Sequence, residues 1–188
     1  MKRAFLCCLL IGSQSCFALT ELTAYDMQVL IEKIGSSFRI QTSFIAPVSQ
    51  CEAYAFLTDY EDIKATPGLV ESKVRKRNGN RVTVERLIEE QVLLFPIQLR
   101  SEVEYTELPN QGLNFIQTKG DHKAYSGTWR LQANEKGVLV RYASSITPDS
   151  VIPAGIIEYF IRNNIRKSFE KIAEGMERSR ETLSLACR

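Results

Sequence analysis

Hydrolysis by a side-chain nucleophile needs a hydroxyl or thiol beside a base, and that base is most often histidine. The chain has a single histidine, His122, placed between Asp121 and Lys123 directly after Gly120. Such a setting reads as a solvated turn rather than a catalytic base. Ser126 and Ser144 sit in strand-like runs with no evident base. Glu89 and Glu90 are adjacent, so a strand would send them to opposite faces. No Cys-x-x-Cys, histidine cluster or Gly-rich phosphate loop occurs. Zinc, redox and nucleotide chemistry therefore have no support. What remains is a set of tyrosines (Tyr105, Tyr125, Tyr142) and Arg130, which is expected to point outward. In a shaped cavity one such acid or base could guide an aldol closure, but nothing singles one out. No catalytic residue, metal or cofactor is assigned.

Whatever positions these groups must be mostly sheet. Phe38, Ile40, Thr42 and Phe44 alternate with Arg39, Gln41 and Ser43, a half-buried strand, and Met27–Lys33 is read as its hairpin partner, although that run could equally be a short helix. From Pro47 a short helical stretch carries Val48, Ala53, Phe56 and Leu57. A second brief helix is expected at Glu61–Ala65, ended by Pro67-Gly68. Strand-like runs follow at Leu69–Arg77, Arg81–Val92, Phe95–Glu107, Gly112–Thr118, Ala124–Gln132 and Val138–Thr147. Asn78-Gly79-Asn80, Pro109-Asn110-Gln111, Gly120-Asp121 and Asn134–Gly137 separate them with good turn chemistry. The basic cluster Lys73–Arg81 reads as a solvated hairpin face.

The chain closes on one long amphipathic helix, Ala154 to about Leu185. Ile157, Ile161, Ile165, Phe169, Ile172, Met176 and Leu183 share one stripe of it, interrupted at Ser179. The six Lys and Arg of this segment nearly balance its five Glu. A basic, membrane-seeking face is therefore not indicated, and a long coiled coil would demand more repeats. The stripe must be covered by the sheet.

The strand faces suggest what lies between. Tyr125, Gly127, Trp129 and Leu131 share a face, as do Val138, Val140, Tyr142, Ser144 and Ile146, and Ile97, Leu99, Ser101, Val103 and Tyr105. Small residues among aromatics can leave a ligand cavity. Alternatively, Gly127 relieves a strongly bent strand and the core is filled.

At the other end, Lys2 and Arg3 precede the apolar run Ala4–Ile11 and then Cys16-Phe17-Ala18. This describes a secretory signal peptide cut after Ala18, its apolar run too short to span a bilayer. Taking 18 residues from 188 leaves 170, enough for one domain at 19–188. Losing Lys2 and Arg3 lowers Lys+Arg from 24 to 22, equal to the 22 Asp+Glu. A neutral domain with no dominant basic run is a poor partner for nucleic acid. Of five cysteines, Cys51 and Cys187 remain. In an oxidising compartment they could form a bridge, or stand as one buried and one tail thiol.

Leu57-Thr58-Asp59-Tyr60, Pro67-Gly68, Gly120-Asp121 and Tyr125-Ser126-Gly127-Thr128-Trp129-Arg130-Leu131, followed by a terminal amphipathic helix, resemble the START-like SRPBCC superfamily. Within it, the likeness is to the polyketide cyclase/dehydrase group that includes the coenzyme Q-binding protein family. It spans about Met27 to Leu185. The resemblance implies an α+β helix-grip (START/Bet v-like) fold: a curved antiparallel sheet around a long C-terminal helix, with two short helices after the first strand and a hydrophobic cavity between. It carries over Tyr125, Gly127 and Trp129 to the sheet side. His122 departs from the pattern, where an apolar or aromatic residue is more usual. The implied arrangement brings the first short helix near the long one and favours a Cys51–Cys187 bridge, which requires Cα atoms about 4.4–6.8 Å apart.

The expected protein is thus an exported, periplasmic or secreted, monomeric binder of a hydrophobic small molecule or lipid, without stable membrane insertion. The ligand would be quinone-, lipid- or polyketide-like. Expected lining residues are Phe115, Tyr125, Trp129, Tyr142 and Phe160, with Ile156 and Phe160 bordering the cavity and Lys119–Lys123 at its mouth. The alternative is a cyclase/dehydratase acting on an apolar polyketide-like substrate.

Overall fold

A computed structural model describes residues 24–62, 66–92, 95–150 and 152–187. The expected signal peptide, residues 1–18, lies outside the described residues. Strands β1 (Gln28–Ile34) and β2 (Ser37–Ala46) form the first hairpin, and helix α1 (Gln50–Thr58) follows. Six strands come next: β3 (Leu69–Asn78), β4 (Arg81–Val92), β5 (Phe95–Leu108), β6 (Gly112–Gly120), β7 (His122–Asn134) and β8 (Gly137–Pro148). Helices α2 (Ala154–Arg178) and α3 (Arg180–Ala186) end the chain. All neighbouring strands are antiparallel, in the order β1-β2-β8-β7-β6-β5-β4-β3.

The sheet follows from alternation. Along β2 the even-numbered side chains from Phe38 to Ala46 are buried and their neighbours are less so. Register then aligns like faces across the sheet. Ile40 pairs with Ser144, Gly127 with Ser144, and Phe115 with Gly127. The inner faces expected for β5, β7 and β8 all meet one core, which α2 covers with Phe169, Ala173 and Met176. Each buried phenylalanine in that core, such as Phe44 or Phe169, is worth about 2–3 kcal/mol. At the β3–β4 turn Gly79 adopts a φ of 58°, which a glycine reaches at little cost. The basic hairpin beyond it is solvated, with Arg77 paired to Glu107 and Arg81 to Glu104.

Three expectations need correction. Helix α1 starts at Gln50, because Ser49 caps it: Ser49 Oγ accepts from the Glu52 amide at 3.2 Å, and the Glu52 carboxylate accepts from the Ser49 amide at 2.7 Å. The pair of short helices reduces to α1 among the described residues, and α1 follows the second strand. Tyr60 and Glu61 form a turn, and 63–65 of the second expected helix lie outside the described residues. Finally, the terminal helix is two helices. The chain bends at Ser179, where the stripe is interrupted, and the short α3 turns toward α1.

That turn brings the cysteines together. Cys51 in the first turn of α1 and Cys187 just after α3 are disulfide-bonded, with Cα atoms 6.0 Å apart. Helix α1 also packs on α2 through Phe56, whose ring would lie 3.0 Å from a Cβ at the buried Gly175.

Candidate functional site

Between the concave sheet face and α2 lies a cavity in two lobes. The outer lobe, about 310 Å³, is bounded by the N-terminal half of α2 (Ile157, Phe160, Ile161) and by Leu99 and Ile146 of the sheet. The other, called the deep lobe for its position toward α1, is about 260 Å³, runs between Phe56, Val103, Leu113 and Ile172, and is also lined by Asp59, Thr66 and Pro67. Ile88, Glu90, Ser101, Tyr125, Tyr142 and Ile165 line both. Together the lobes fall in the size range of small-molecule pockets.

The five expected lining residues divide between the lobes. Phe160 borders the outer lobe, Phe115 and Trp129 the deep lobe, and Tyr125 and Tyr142 both. The N-terminal end of α2 does border the cavity, but through Ile157 and Phe160; Ile156 does not line it. Asp121 and His122, from the expected mouth segment, lie on the outer lobe.

An aromatic wall holds the tyrosines in place. Trp129 stands 4.6 Å from Tyr142 between ring centroids, Tyr142 4.9 Å from Phe169, and Phe115 4.9 Å from Tyr125. Gly127 makes room for this wall. A Cβ there would fall 2.5 Å from Phe115 Cζ, so the gap that glycine leaves in the sheet face is filled by Phe115. The open volume instead lies beside Ser101, Ser144 and the tyrosine hydroxyls. Those hydroxyls, Tyr125 and Tyr142, are 3.2 Å apart and hydrogen-bonded. Burial pushes both phenols above their ordinary range. They stay protonated at neutral pH and can donate to a ligand oxygen.

Sequence reasoning missed the other polar groups. His122 is not a solvated turn residue. It begins β7, is half-buried, and its ring lies 6.0 Å from that of Tyr125. Burial lowers its pKa, with Asp121 acting in the opposite direction, so the imidazole is neutral at neutral pH. Glu90 also faces the cavity, and burial raises its pKa against the opposing charge of Lys171 on α2. Arg86 reaches the deep lobe, its guanidinium 5.2 Å from the Tyr105 ring centroid. The signal for both was phase: Val82 and Val84 are buried, so residues 86, 88 and 90 follow them to the same face. Arg130, as expected, lies on the other face, bound to Asn114 Oδ1 at 2.6 Å. Among the described residues, no three histidine, cysteine or carboxylate groups gather as a metal site. Nor is any helix there long and apolar enough to cross a membrane.

Comparison with known proteins agrees with this geometry. A family model described as polyketide cyclase / dehydrase and lipid transport matches residues 46–172. No curated protein matches the chain by sequence. Among solved structures, the STAR-related lipid transfer protein from Xanthomonas axonopodis is similar, with a TM-score of 0.66 and 13% identity over 86% of this chain and 96% of that one. Human STARD10 gives 0.64 and 12%, over 82% of this chain and 70% of the other. The Zhui aromatase/cyclase from Streptomyces sp. R1128 gives 0.60 and 13%, over 76% and 95%. At such identities the likeness is one of fold.

Proposed function

Because the chain belongs to the polyketide cyclase / dehydrase and lipid transport family, we propose that it is an exported carrier for a hydrophobic small molecule or lipid. The observation that carries this reading is the two-lobed cavity, apolar in most of its lining and furnished with a few hydroxyls at the junction. Apolar burial at about 25 cal/mol per Å² supplies affinity, while the hydroxyls of Tyr125, Tyr142 and Ser101 orient the guest. Export rests on the signal-like pattern at residues 1–18 and is consistent with a disulfide that persists in an oxidising compartment. The carrier is proposed to act as a monomer in the periplasm or outside the cell.

The test is to purify the protein from the compartment where it accumulates, extract it with organic solvent and examine the extract by mass spectrometry. A stoichiometric apolar species is expected. A clean extract, together with no uptake of an added apolar dye, would sink the reading.

One observation favours a second reading. His122 and the Tyr125–Tyr142 hydroxyl pair border the same lobe, with a neutral imidazole as a potential base. That set could guide ring closure on a polyketide-like chain. Turnover of a poly-β-keto substrate that is abolished by Tyr125→Phe or His122→Gln would favour it over carriage alone.

A further inference from the structure

We propose that the deep lobe is an anion site for an apolar chain whose terminal carboxylate or phosphate meets Arg86 while its tail fills the outer lobe. The inference rests on the carrier reading and adds the ligand's chemical class and its orientation.

Arg86 is placed by β4, in register with Ser101 on β5, so both project to the concave side. Its Nε is sealed from solvent and finds no acceptor among the described residues. No carboxylate there pairs with the guanidinium, whose near neighbour is the face of Tyr105. A guanidinium is a permanent cation, and sealing one of its donors from water without an acceptor is unfavourable. Glu90, four residues along the same face, forms no ion pair with Arg86, and the charge that acts on it is that of Lys171. Asp59 also lines this lobe. An unmet guanidinium donor in a cavity suits an anionic oxygen group.

The outer lobe offers a tail the apolar walls of Ile40, Leu99, Ile146, Ile157, Phe160 and Ile161, and is also lined by Arg100, Asp121 and Asp149. Ser101 and the tyrosine hydroxyls line both lobes.

Calorimetric titration of the purified protein at neutral pH with dodecanoate, dodecyl phosphate and dodecanol, each below its micelle threshold, tests this. Wild type should bind at least one of the two anions on the order of tenfold to a hundredfold more tightly than the alcohol. The preferred anion separates a carboxylate from a phosphate head. Arg86→Leu should abolish the preference while changing dodecanol affinity by no more than about twofold; Arg86→Lys should retain part of it. Dodecanol binding serves as the folding control, and Arg86→Gln carries the same comparison if the leucine variant does not fold. Equal affinity for anion and alcohol, or a preference surviving Arg86→Leu, overturns the anion-site assignment and leaves the carrier reading standing. Failure of all three to bind wild type overturns both.

Discussion

Phe115 and Gly127 face each other across the β6–β7 ladder, and the phenylalanine ring occupies the space a side chain at 127 would take. The backbone oxygen of Ala143 closes the same space from the other side. Gly127→Ala should therefore cost about 1–3 kcal/mol, as overpacking does. Chemical denaturation measures it. Adding Phe115→Leu should recover part of the loss, a coupling that a double-mutant cycle resolves. Additive costs would show that the ring is not what excludes the methyl group.

The bridge between Cys51 and Cys187 spans 136 positions of the sequence. Constraining so long a loop in the unfolded chain predicts a loss of about 2–5 kcal/mol on replacing either cysteine by serine. Urea denaturation with and without reductant checks this. Reductant should destabilise wild type and leave the serine variants unchanged.

His122 and Glu90 predict opposite pH slopes. Burial depresses the His122 pKa, so the unfolded chain binds the proton more readily. Its contribution is fully present above about pH 6.5 and is lost as pH falls through the folded value. Burial raises the Glu90 pKa, so the unfolded chain ionises first and stability falls as pH rises from the ordinary carboxylate range through the folded value. Glu90→Gln should stabilise the protein at neutral pH and have no such effect at pH below about 4. Since the chain has one histidine, its ring proton titration by NMR is self-assigned. A midpoint at or above 6.5 would contradict the buried placement.

Trp129 is the single tryptophan and lines the deep lobe, 4.6 Å from Tyr142 and 5.8 Å from Phe169. Filling that lobe with an apolar guest should change its emission in proportion to occupancy. Phe160→Ala, at the outer lobe, should weaken binding without altering the free protein's spectrum. An emission blind to a bound guest would place the guest outside the deep lobe.

Tyr142→Phe leaves the Tyr125 hydroxyl without the partner it has at 3.2 Å. A cost of about 1–2 kcal/mol is expected, and the double change to phenylalanine should cost less than the two single changes combined. Thermal melts of the three variants decide this.

What could be read from the chain beforehand was periodic. Phe38 to Ala46 and Val138 to Ile146 alternate cleanly, and each took the face its alternation indicated; Tyr125, Trp129 and Leu131 likewise meet the core. The cavity's polar groups broke such patterns. Arg86 and Glu90 carry charge where their phase demands burial, and Leu87, buried on the adjacent position beside a β3 bulge, blurs the phase further. His122 looked like a turn residue because Gly120 and Asp121 precede it, yet β7 begins at once and turns the ring toward Tyr125. Whether the gap at Gly127 was empty depended on Phe115, twelve residues away in sequence and opposite in register. Such facts belong to pairing between strands, and no single run of residues holds them.

The covalent link from α1 to the end of α3 has a topological consequence. With Cys51 and Cys187 joined, most of the domain is a closed ring of main chain. A single proteolytic cut at an exposed turn inside it, such as Asn78–Asn80, produces two pieces that remain tethered and in register across the sheet. Such a nicked molecule would separate on a gel only after reduction, and could retain its guest until then.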